Sequence, residues 1–172
     1  MPIELVLGDI THVDADAIVN AANRYLAPGG GVCGAIHRAA GPKLALACAK
    51  WVAEHGPVET GSAAITPGFG LSAKYVIHAV GPVWHGGDSR EAELLGSAYA
   101  AAMQRADEAG LESIAFPSIS TGIFGYPLVL AAPVAASAVA RALGCATHVR
   151  VARFVLFDRT TYRAYEDAVA AL

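Results

Sequence analysis

Short runs of β-branched and aromatic residues alternate along the chain with longer segments in which apolar residues recur at helical spacing. The short runs predict strands at residues 3–7, 17–19, 63–65, 75–80, 113–116 and 151–157. Strands that alternate with helices are typical of an α/β domain. No repeat or low-complexity linker divides the pattern, and 172 residues are enough for one well-buried core. We therefore predict a single domain spanning residues 1–172.

The clearest helical pattern covers residues 89–109, where apolar residues recur every four positions until Gly110 ends the run. Asp88 and Glu91 have the spacing of a helix-capping pair, so we expect this helix to begin close to Asp88. Weaker patterns predict further helices at residues 33–40, 42–55 and 161–172, and one within 127–143.

Composition and charge narrow the functional classes. The net charge is −3 and the chain has no cluster of Lys or Arg, so it lacks the charge pattern of a protein that binds nucleic-acid backbones. Hydrophobic residues make up 55% of the chain, but no window reaches about 18 uninterrupted apolar residues, the length that spans a bilayer. We expect a soluble protein with no membrane segment and a ligand of nucleotide size.

The three cysteines, Cys33, Cys48 and Cys145, are odd in number and lack C-x-x-C spacing. Both features argue against a disulfide framework and against a zinc site. The N-terminal residues also lack the basic and apolar regions of a secretion signal. We therefore expect a cytoplasmic protein without a bound metal.

Three segments that follow predicted strands mark the candidate site, at residues 8–11, 20–37 and 118–125. In an open α/β sheet, ligands bind beyond the carboxyl ends of the strands, so these segments should meet in one cleft. The second and third contain glycine-rich turns that lead into helices, whose free N–H groups favour phosphate oxygens. Neither turn contains Lys or Arg. This favours binding of an intact pyrophosphate over transfer of a phosphoryl group.

Residues 29–34 also satisfy the dinucleotide-binding pattern G-x-G-x-x-G, which opens an alternative interpretation as an oxidoreductase. In that fold the first glycine lies at the end of a strand, directly under the pyrophosphate. Here it lies nine residues beyond Asn20. The alternative is therefore weak.

Five sequence blocks occur in an order that resembles the macrodomain family, in its MacroD-type branch. They are Gly-Asp-Ile-Thr at 8–11, Asn-Ala-Ala-Asn at 20–23, and longer blocks at 29–42, 75–83 and 116–127. The resemblance extends from about Ile3 to the C-terminus. It implies a three-layer α/β/α sandwich around a mixed sheet of six to seven strands, with the first strand antiparallel at an edge. It also implies ADP-ribose binding, often with removal of ADP-ribose from modified side chains.

Asp9 and Ile10 are the candidate adenine contacts. From the residues alone, an aspartate between a strand and a turn is more often an Asx-turn or capping residue. The resemblance instead implies that the Asp9 carboxylate accepts a hydrogen bond from the adenine amino group, beside the Ile10 backbone. Guanine has a carbonyl at that position, so Asp9 would also exclude guanine nucleotides. Phe157 ends the last strand and is either a core residue or, by resemblance, an aromatic wall against adenine.

Asn20 and Asn23 are the candidate ribose contacts. Both could simply be turn formers after a buried strand. The resemblance implies that Asn23 hydrogen-bonds the distal ribose, whereas Asn20 either binds ligand or ties loops together.

The two glycine-rich loops are the candidate walls for the pyrophosphate and the distal ribose. Their glycines could merely turn the chain from strand to helix. By resemblance, the ligand-binding residues are Gly30, Gly31, Val32, Ser118, Ser120, Thr121, Gly122, Ile123 and Phe124. Phe124 would orient the distal sugar for attack.

Cys33 is a departure from the resemblance, because MacroD-type hydrolases usually carry an aspartate ten residues after the second asparagine. A thiol cannot replace that carboxylate, although a cysteine at a helix N-terminus is a possible nucleophile. A small side chain on the cleft floor is the simpler interpretation. Hydrolysis then depends on the substrate pyrophosphate to polarise water, with Asn23, Gly122 and Phe124 fixing the sugar. His37, one helical turn beyond Cys33, is a further catalytic candidate.

Pro127 and Pro133 predict where the helix after the third segment begins. Proline is tolerated in a first turn and disrupts a helix interior, so Pro133 predicts a start near Ala132. Residues 128–130 would then form a mobile lid beside the cleft.

The resemblance favours an enzyme that removes mono-ADP-ribose from acidic side chains and also cleaves O-acetyl-ADP-ribose. The alternative is a reader module with little turnover, because of Cys33. The expected partners are ADP-ribose and mono-ADP-ribosylated proteins, bound by a monomer that needs no cofactor. His78, inside a predicted strand, is expected to be a core histidine with its hydrogen bonds satisfied.

Overall fold

Six strands form one mixed sheet in a computed structural model that describes residues 2–172, with the strand order β1-β6-β5-β2-β4-β3. The strands are β1 (Ile3–Leu7), β2 (Ala17–Ala21), β3 (Ala63–Pro67), β4 (Tyr75–Ala79), β5 (Ser113–Phe116) and β6 (Val151–Leu156). Each predicted strand is present, and each boundary lies within two residues of the prediction.

Five helices cover the two faces of this sheet. They are α1 (Gly31–Ala40), α2 (Pro42–His55), α3 (Glu91–Glu108), α4 (Leu128–Cys145) and α5 (Arg159–Ala170). One buried apolar cluster joins the sheet to α3, α4 and α5, and a second joins its other face to α1 and α2. This arrangement confirms the predicted three-layer α/β/α sandwich.

The direction of β1 differs from the prediction. β1 lies at a sheet edge, as expected, but it pairs parallel with β6, with Ile3 opposite Ala152. The antiparallel pair is instead β3 with β4, at the other edge. A short loop joins β3 to β4, and such a connection suits antiparallel neighbours. The parallel direction of β1 places Asp9 at the same end of the sheet as the residues that follow β2, β5 and β6.

The start of α4 also differs from the prediction. The helix begins at Leu128, with Pro127 as its N-cap and Pro133 inside it. The backbone N–H groups of Leu130 and Ala131 both donate to the Pro127 carbonyl, so the first turn forms ahead of Pro133. Residues 128–130 are therefore helical and the predicted start near Ala132 is wrong, which removes the non-helical segment from which the lid was argued.

By length and composition, α4 is apolar enough to cross a membrane, with a mean hydropathy of 1.8. A core helix of a globular domain passes the same test. The alanine-rich side of α4 is buried in the core through Ala131, Ala132, Ala135, Ala136 and Val139. The absence of a membrane segment stays a prediction.

Helix α3 begins at Glu91 and not at Ser89, where the capping pair placed its start. Arg90, in a left-handed conformation with φ 62°, precedes the first helical residue. The Glu91 carboxylate does reach back to the Ser89 N–H, but it also accepts two further backbone N–H groups from the preceding loop. Glu91 is therefore a loop anchor, and Asp88 lies outside the helix.

Candidate functional site

A cleft of about 840 Å³ lies beyond the carboxyl ends of the parallel strands β1, β2, β5 and β6. Its walls come mainly from the segments that the sequence singled out, with Gly81 added from the end of β4. Because all these strands run in one direction, the loops that follow them converge at one end of the sheet. The lining includes residues 8–10, 21–23, 29–33, 117–124 and 155–158.

Asp9 lines one end of the cleft with an exposed carboxylate. Its Oδ1 accepts hydrogen bonds from the Thr11 hydroxyl at 2.7 Å and from the Thr11 backbone N–H at 2.9 Å. These bonds lower the pKa of Asp9, so the group is ionised at neutral pH. The turn-capping role is thus confirmed. Oδ2 accepts no hydrogen bond from residues 2–172, and its contact is with the exposed ring of His12, whose Nε2 lies 3.8 Å away.

Phe157 and Ile10 also line the cleft, and Phe157 lies near Asp9 because β1 and β6 are adjacent and pair up to Leu7 and Leu156. Phe157 is 84% exposed, which excludes the alternative that it is a core residue. Ile10 is buried and packs in the apolar cluster beneath the cleft. An exposed aromatic ring beside an ionised carboxylate is suited to holding a flat heterocycle with an amino group.

Asn23 lines the cleft while its side chain also organises its own loop. Asn23 Oδ1 accepts the N–H groups of Tyr25 and Ala27, both at 3.1 Å. Asn23 Nδ2 donates to the Ala27 carbonyl at 2.9 Å. An amide nitrogen carries two hydrogens, so one donor is left over for a ligand hydroxyl.

Asn20 is buried below the cleft and does not line it. Its Nδ2 lies 3.0 Å from His78 Nδ1, and the other ring nitrogen of His78 lies 2.9 Å from Thr66 Oγ1. These contacts tie together β2, β4 and β3. Burial is the main cause that lowers the pKa of His78 to about 3, and the nearby His37 contributes in the same direction. The ring is therefore neutral. His78 is the satisfied core histidine that the sequence predicted.

Helix α1 begins at the glycine-rich turn and presents its N-terminus to the cleft. Gly34 allows the turn to lie against the helix, because a Cβ there would be 2.6 Å from the Gly29 carbonyl oxygen. The first N–H groups of a helix have no acceptor within it. Within residues 2–172, no protein acceptor pairs with the backbone N–H groups of residues 29–33.

The loop at 118–125 forms the facing wall. Ser118 Oγ and Thr121 Oγ1 are 2.7 Å apart, and Gly125 N–H donates to the Gly122 carbonyl. Ser120 adopts a left-handed conformation with φ 68°, and its buried hydroxyl has no hydrogen-bond partner in the described part of the protein. The backbone N–H groups of residues 120–124 likewise pair with no acceptor from residues 2–172.

Two tyrosines support this loop from below. Tyr165 OH donates to Ser118 Oγ at 2.9 Å, and Tyr99 OH accepts the N–H of Ile119, also at 2.9 Å. Burial raises the pKa of both phenols, so they remain neutral. The start of the loop is therefore fixed by the core, while its far end, with Ile123 84% exposed, is free at the surface.

Cys33 lines the cleft at the third residue of α1 and is 6% exposed. Its Sγ lies 3.8 Å from the Ala27 carbonyl oxygen. The carboxylates that line the cleft are Asp9 and Asp158, which follow β1 and β6. Neither belongs to the loops that hold Asn23, Cys33 and Phe124.

His37 is not brought to the cleft with the other catalytic candidates. It borders a separate shallow pocket of about 330 Å³ with Pro28, Pro42 and Ala45. Burial lowers the pKa of His37, and its Nε2 has no partner within residues 2–172. A direct catalytic role for His37 has no support from this placement.

Arg38 and Gly81 line the cleft but were missed from the sequence. Arg38 lies four residues beyond Gly34, and both belong to the glycine-rich block of the resemblance, which was the available signal. Gly81 follows the strand that contains His78, and a Cβ there would collide with Ser120 Oγ. The close approach of two loops decides this position, and its membership of the resemblance block at 75–83 was the available signal.

The Macro domain family profile matches residues 19–135. The chain belongs to the Macro domain family. This macrodomain is 50% identical over 163 residues to the O-acetyl-ADP-ribose deacetylase of Salmonella gallinarum, a match that covers 95% of this chain and 91% of that protein. The relationship confirms the resemblance seen in the sequence blocks.

Solved structures similar to this macrodomain include two with bound nucleotides. The Oceanobacillus iheyensis macrodomain with ADP has a TM-score of 0.92 and 41% identity, and the match covers 98% of this chain and 90% of that one. The Trypanosoma brucei macrodomain in complex with ADP-ribose has a TM-score of 0.89 and 38% identity, and the match covers 98% of this chain and 69% of that one.

Proposed function

We propose that this macrodomain binds ADP-ribose in its cleft, with adenine beside Asp9 and Phe157 and the distal ribose beside Asn23 and Phe124. The observation that carries the proposal is the pair of facing loops, residues 29–33 and 120–124, whose backbone N–H groups have no protein acceptor within residues 2–172. Converging amides of this kind bind a pyrophosphate without lysine or metal. The relatives named for ADP and ADP-ribose complexes support the same ligand.

We further propose that the cleft hydrolyses acyl esters of ADP-ribose. The substrates are proteins carrying mono-ADP-ribose on acidic side chains and, as the name of the Salmonella relative suggests, O-acetyl-ADP-ribose. For a modified side chain, water attacks the anomeric carbon, the bond to the carboxylate oxygen breaks, and the acid leaves. The products are ADP-ribose and the free carboxylic acid.

The roles of the residues follow from their places in the cleft. Asn23 retains one free amide hydrogen for a ribose hydroxyl, and Phe124 packs beside the distal sugar. No carboxylate from the described residues lies on the loops that hold Asn23, Cys33 and Phe124, so the substrate pyrophosphate polarises the attacking water. The loops contribute by fixing the sugar and the pyrophosphate in one geometry.

The second candidate function is an ADP-ribose reader with little or no turnover. The observation that favours it is that the lining carboxylates, Asp9 and Asp158, belong to loops other than that of Cys33. A time course with an auto-mono-ADP-ribosylated protein, followed by loss of label, separates the two functions. Parallel incubation with O-acetyl-ADP-ribose, followed by release of acetate, tests the second ester. Tight ADP-ribose binding with no loss of either ester would favour the reader.

A further inference from the structure

The loop between β4 and α3 is anchored by one buried carboxylate, that of Glu91. Glu91 is 1% exposed, and its two oxygens accept backbone N–H groups from His85 at 2.9 Å, Gly87 at 2.9 Å and Ser89 at 2.5 Å. Three amide donors converging on one carboxylate hold the loop in a single conformation. No substrate contact is available to Glu91, because it does not line the cleft.

The same loop is joined to the cleft through Trp84. The backbone N–H of Trp84 donates to the Phe124 carbonyl at 2.8 Å. The indole ring of Trp84 packs on the ring of Tyr126, with centroids 4.6 Å apart. Tyr126 N–H in turn donates to the Ser120 carbonyl at 2.9 Å. Gly87, one of the three residues bound to Glu91, lies against the Trp84 ring. Trp84 therefore connects the anchored loop to the wall assigned to the distal ribose.

We propose that Glu91 is a positioning residue for the distal-ribose wall: its carboxylate fixes the loop that carries Trp84, and Trp84 fixes the backbone of Phe124. The inference rests on the proposed function, since it assigns Phe124 to the distal ribose. Glu91 does not act on the adenine end of the ligand, because Asp9 and Phe157 belong to loops that follow other strands.

The electrostatics of Glu91 support this geometry. The three backbone hydrogen bonds, that of His85 first, hold the pKa of Glu91 at about 2 against the opposing effect of burial. The carboxylate also stands at the first residue of α3, where the positive end of the helix dipole favours a negative charge. An amide side chain of the same size has one acceptor fewer and points an NH2 group at the loop N–H groups.

Asp107 provides a matched control near the other end of α3. Its carboxylate also accepts three backbone N–H groups, from Thr147, His148 and Val149. This loop precedes β6, so it lies at the end of the sheet opposite to the cleft. Glu91→Gln and Asp107→Asn thus remove the same chemistry from two loops, only one of which leads to Phe124.

The test compares affinities for ADP and ADP-ribose by calorimetry, because ADP lacks the distal ribose. We expect both variants to lower the melting temperature. Only Glu91→Gln should weaken ADP-ribose binding, by about tenfold, and ADP should lose several-fold less affinity, because ADP contacts the pyrophosphate part of the wall but not the distal-ribose part. In a Trp51→Phe background, Glu91→Gln should also shift the emission of Trp84, whereas Asp107→Asn should not.

Equal ADP-ribose affinities in Glu91→Gln and Asp107→Asn would overturn the proposal, as would an equal loss of ADP and ADP-ribose affinity. If Glu91→Gln fails to fold, Trp84→Leu tests the part of the connection that runs through the indole ring and its packing on Tyr126 and Gly87, because leucine keeps the backbone N–H that donates to Phe124. Trp84→Leu should also weaken ADP-ribose binding more than ADP binding. The binding comparison does not depend on turnover. A wild-type protein without hydrolase activity would therefore contradict the enzymatic proposal and leave this test intact.

Discussion

The hydroxyl of Tyr165 donates a 2.9 Å hydrogen bond to Ser118 Oγ, which joins the last helix to the first residue of the loop that closes the cleft. Tyr99 lies beside it, with the two hydroxyl oxygens 3.1 Å apart. Tyr99 OH donates to the Pro117 carbonyl and accepts the Ile119 N–H. The loop geometry is thus set from the core side, by two phenols with different numbers of backbone partners.

These different partners predict unequal effects of removing each hydroxyl. Tyr165→Phe leaves Ser118 Oγ with Thr121 as a partner, so we expect a loss of about 0.5–1.5 kcal/mol in unfolding free energy. Tyr99→Phe leaves the buried N–H of Ile119 without an acceptor, and an unsatisfied group of this kind lowers the unfolding free energy by about 1–3 kcal/mol. Denaturant unfolding of both variants measures the difference. A larger loss for Tyr165→Phe would contradict the assignment.

The sequence predicted the elements well where the signal is local. Helix α2 has the predicted bounds, because Pro42 is favoured as the first helical residue and Gly56 caps the C-terminus. The direction of β1 was not predictable, since a period-two pattern is the same for parallel and antiparallel pairing. The predicted start of α4 was wrong because sequence rules disfavour proline within a helix, whereas α4 contains Pro133 in its interior.

For the site, the motifs predicted which loops meet but not how each side chain is used. Asn20 and Asn23 belong to one motif, yet only Asn23 reaches the cleft, because Asn20 lies within β2 and contacts His78 of the neighbouring strand, whereas Asn23 lies in the loop beyond the strand end. Glu91 had a capping pattern and turned out to hold a loop. Long-range contacts between β4, α3 and the 118–125 loop decide these roles, and no local pattern encodes them.

Asp9→Ala should weaken ADP-ribose binding without abolishing it, because the adenine contact is lost while both amide loops remain. Loss of one hydrogen bond to a charged group corresponds to about 1.5–3 kcal/mol of binding free energy. Calorimetry with ADP-ribose measures the effect, with Asp14→Ala as a control because Asp14 is an exposed carboxylate outside the cleft. Unchanged affinity in Asp9→Ala would remove the adenine assignment.

His78 predicts a pH dependence of stability. Its folded pKa of about 3 lies below the ordinary histidine value of 6.5, so the unfolded chain takes up a proton first as the pH falls. The stability associated with neutral His78 is present above pH 6.5 and decreases toward pH 3. Between pH 7 and pH 5 this single group accounts for about 2 kcal/mol.

His78→Gln should remove that part of the dependence, because glutamine does not titrate. His37, whose pKa is also lowered, contributes in the same direction and stays in both proteins. Denaturant unfolding at pH 7 and pH 5 for wild type and His78→Gln therefore isolates the His78 contribution. An identical pH dependence in the two proteins would contradict the buried neutral histidine.

Cys33 offers a direct test of how water is activated in the cleft. If the substrate pyrophosphate polarises the water, Cys33→Ala should leave the single-turnover rate of ester hydrolysis nearly unchanged. If the thiol were the nucleophile, Cys33→Ala would bind ADP-ribose normally and hydrolyse nothing. Cys33→Asp places a carboxylate at the third residue of α1, where the resemblance to MacroD-type hydrolases implies an aspartate. General-base assistance there should raise the rate by up to about 100-fold.

Rates at saturating enzyme for wild type, Cys33→Ala and Cys33→Asp, with ADP-ribose affinity measured alongside, distinguish these mechanisms. An inactive Cys33→Ala with normal affinity would make the thiol catalytic and replace the pyrophosphate-assisted route.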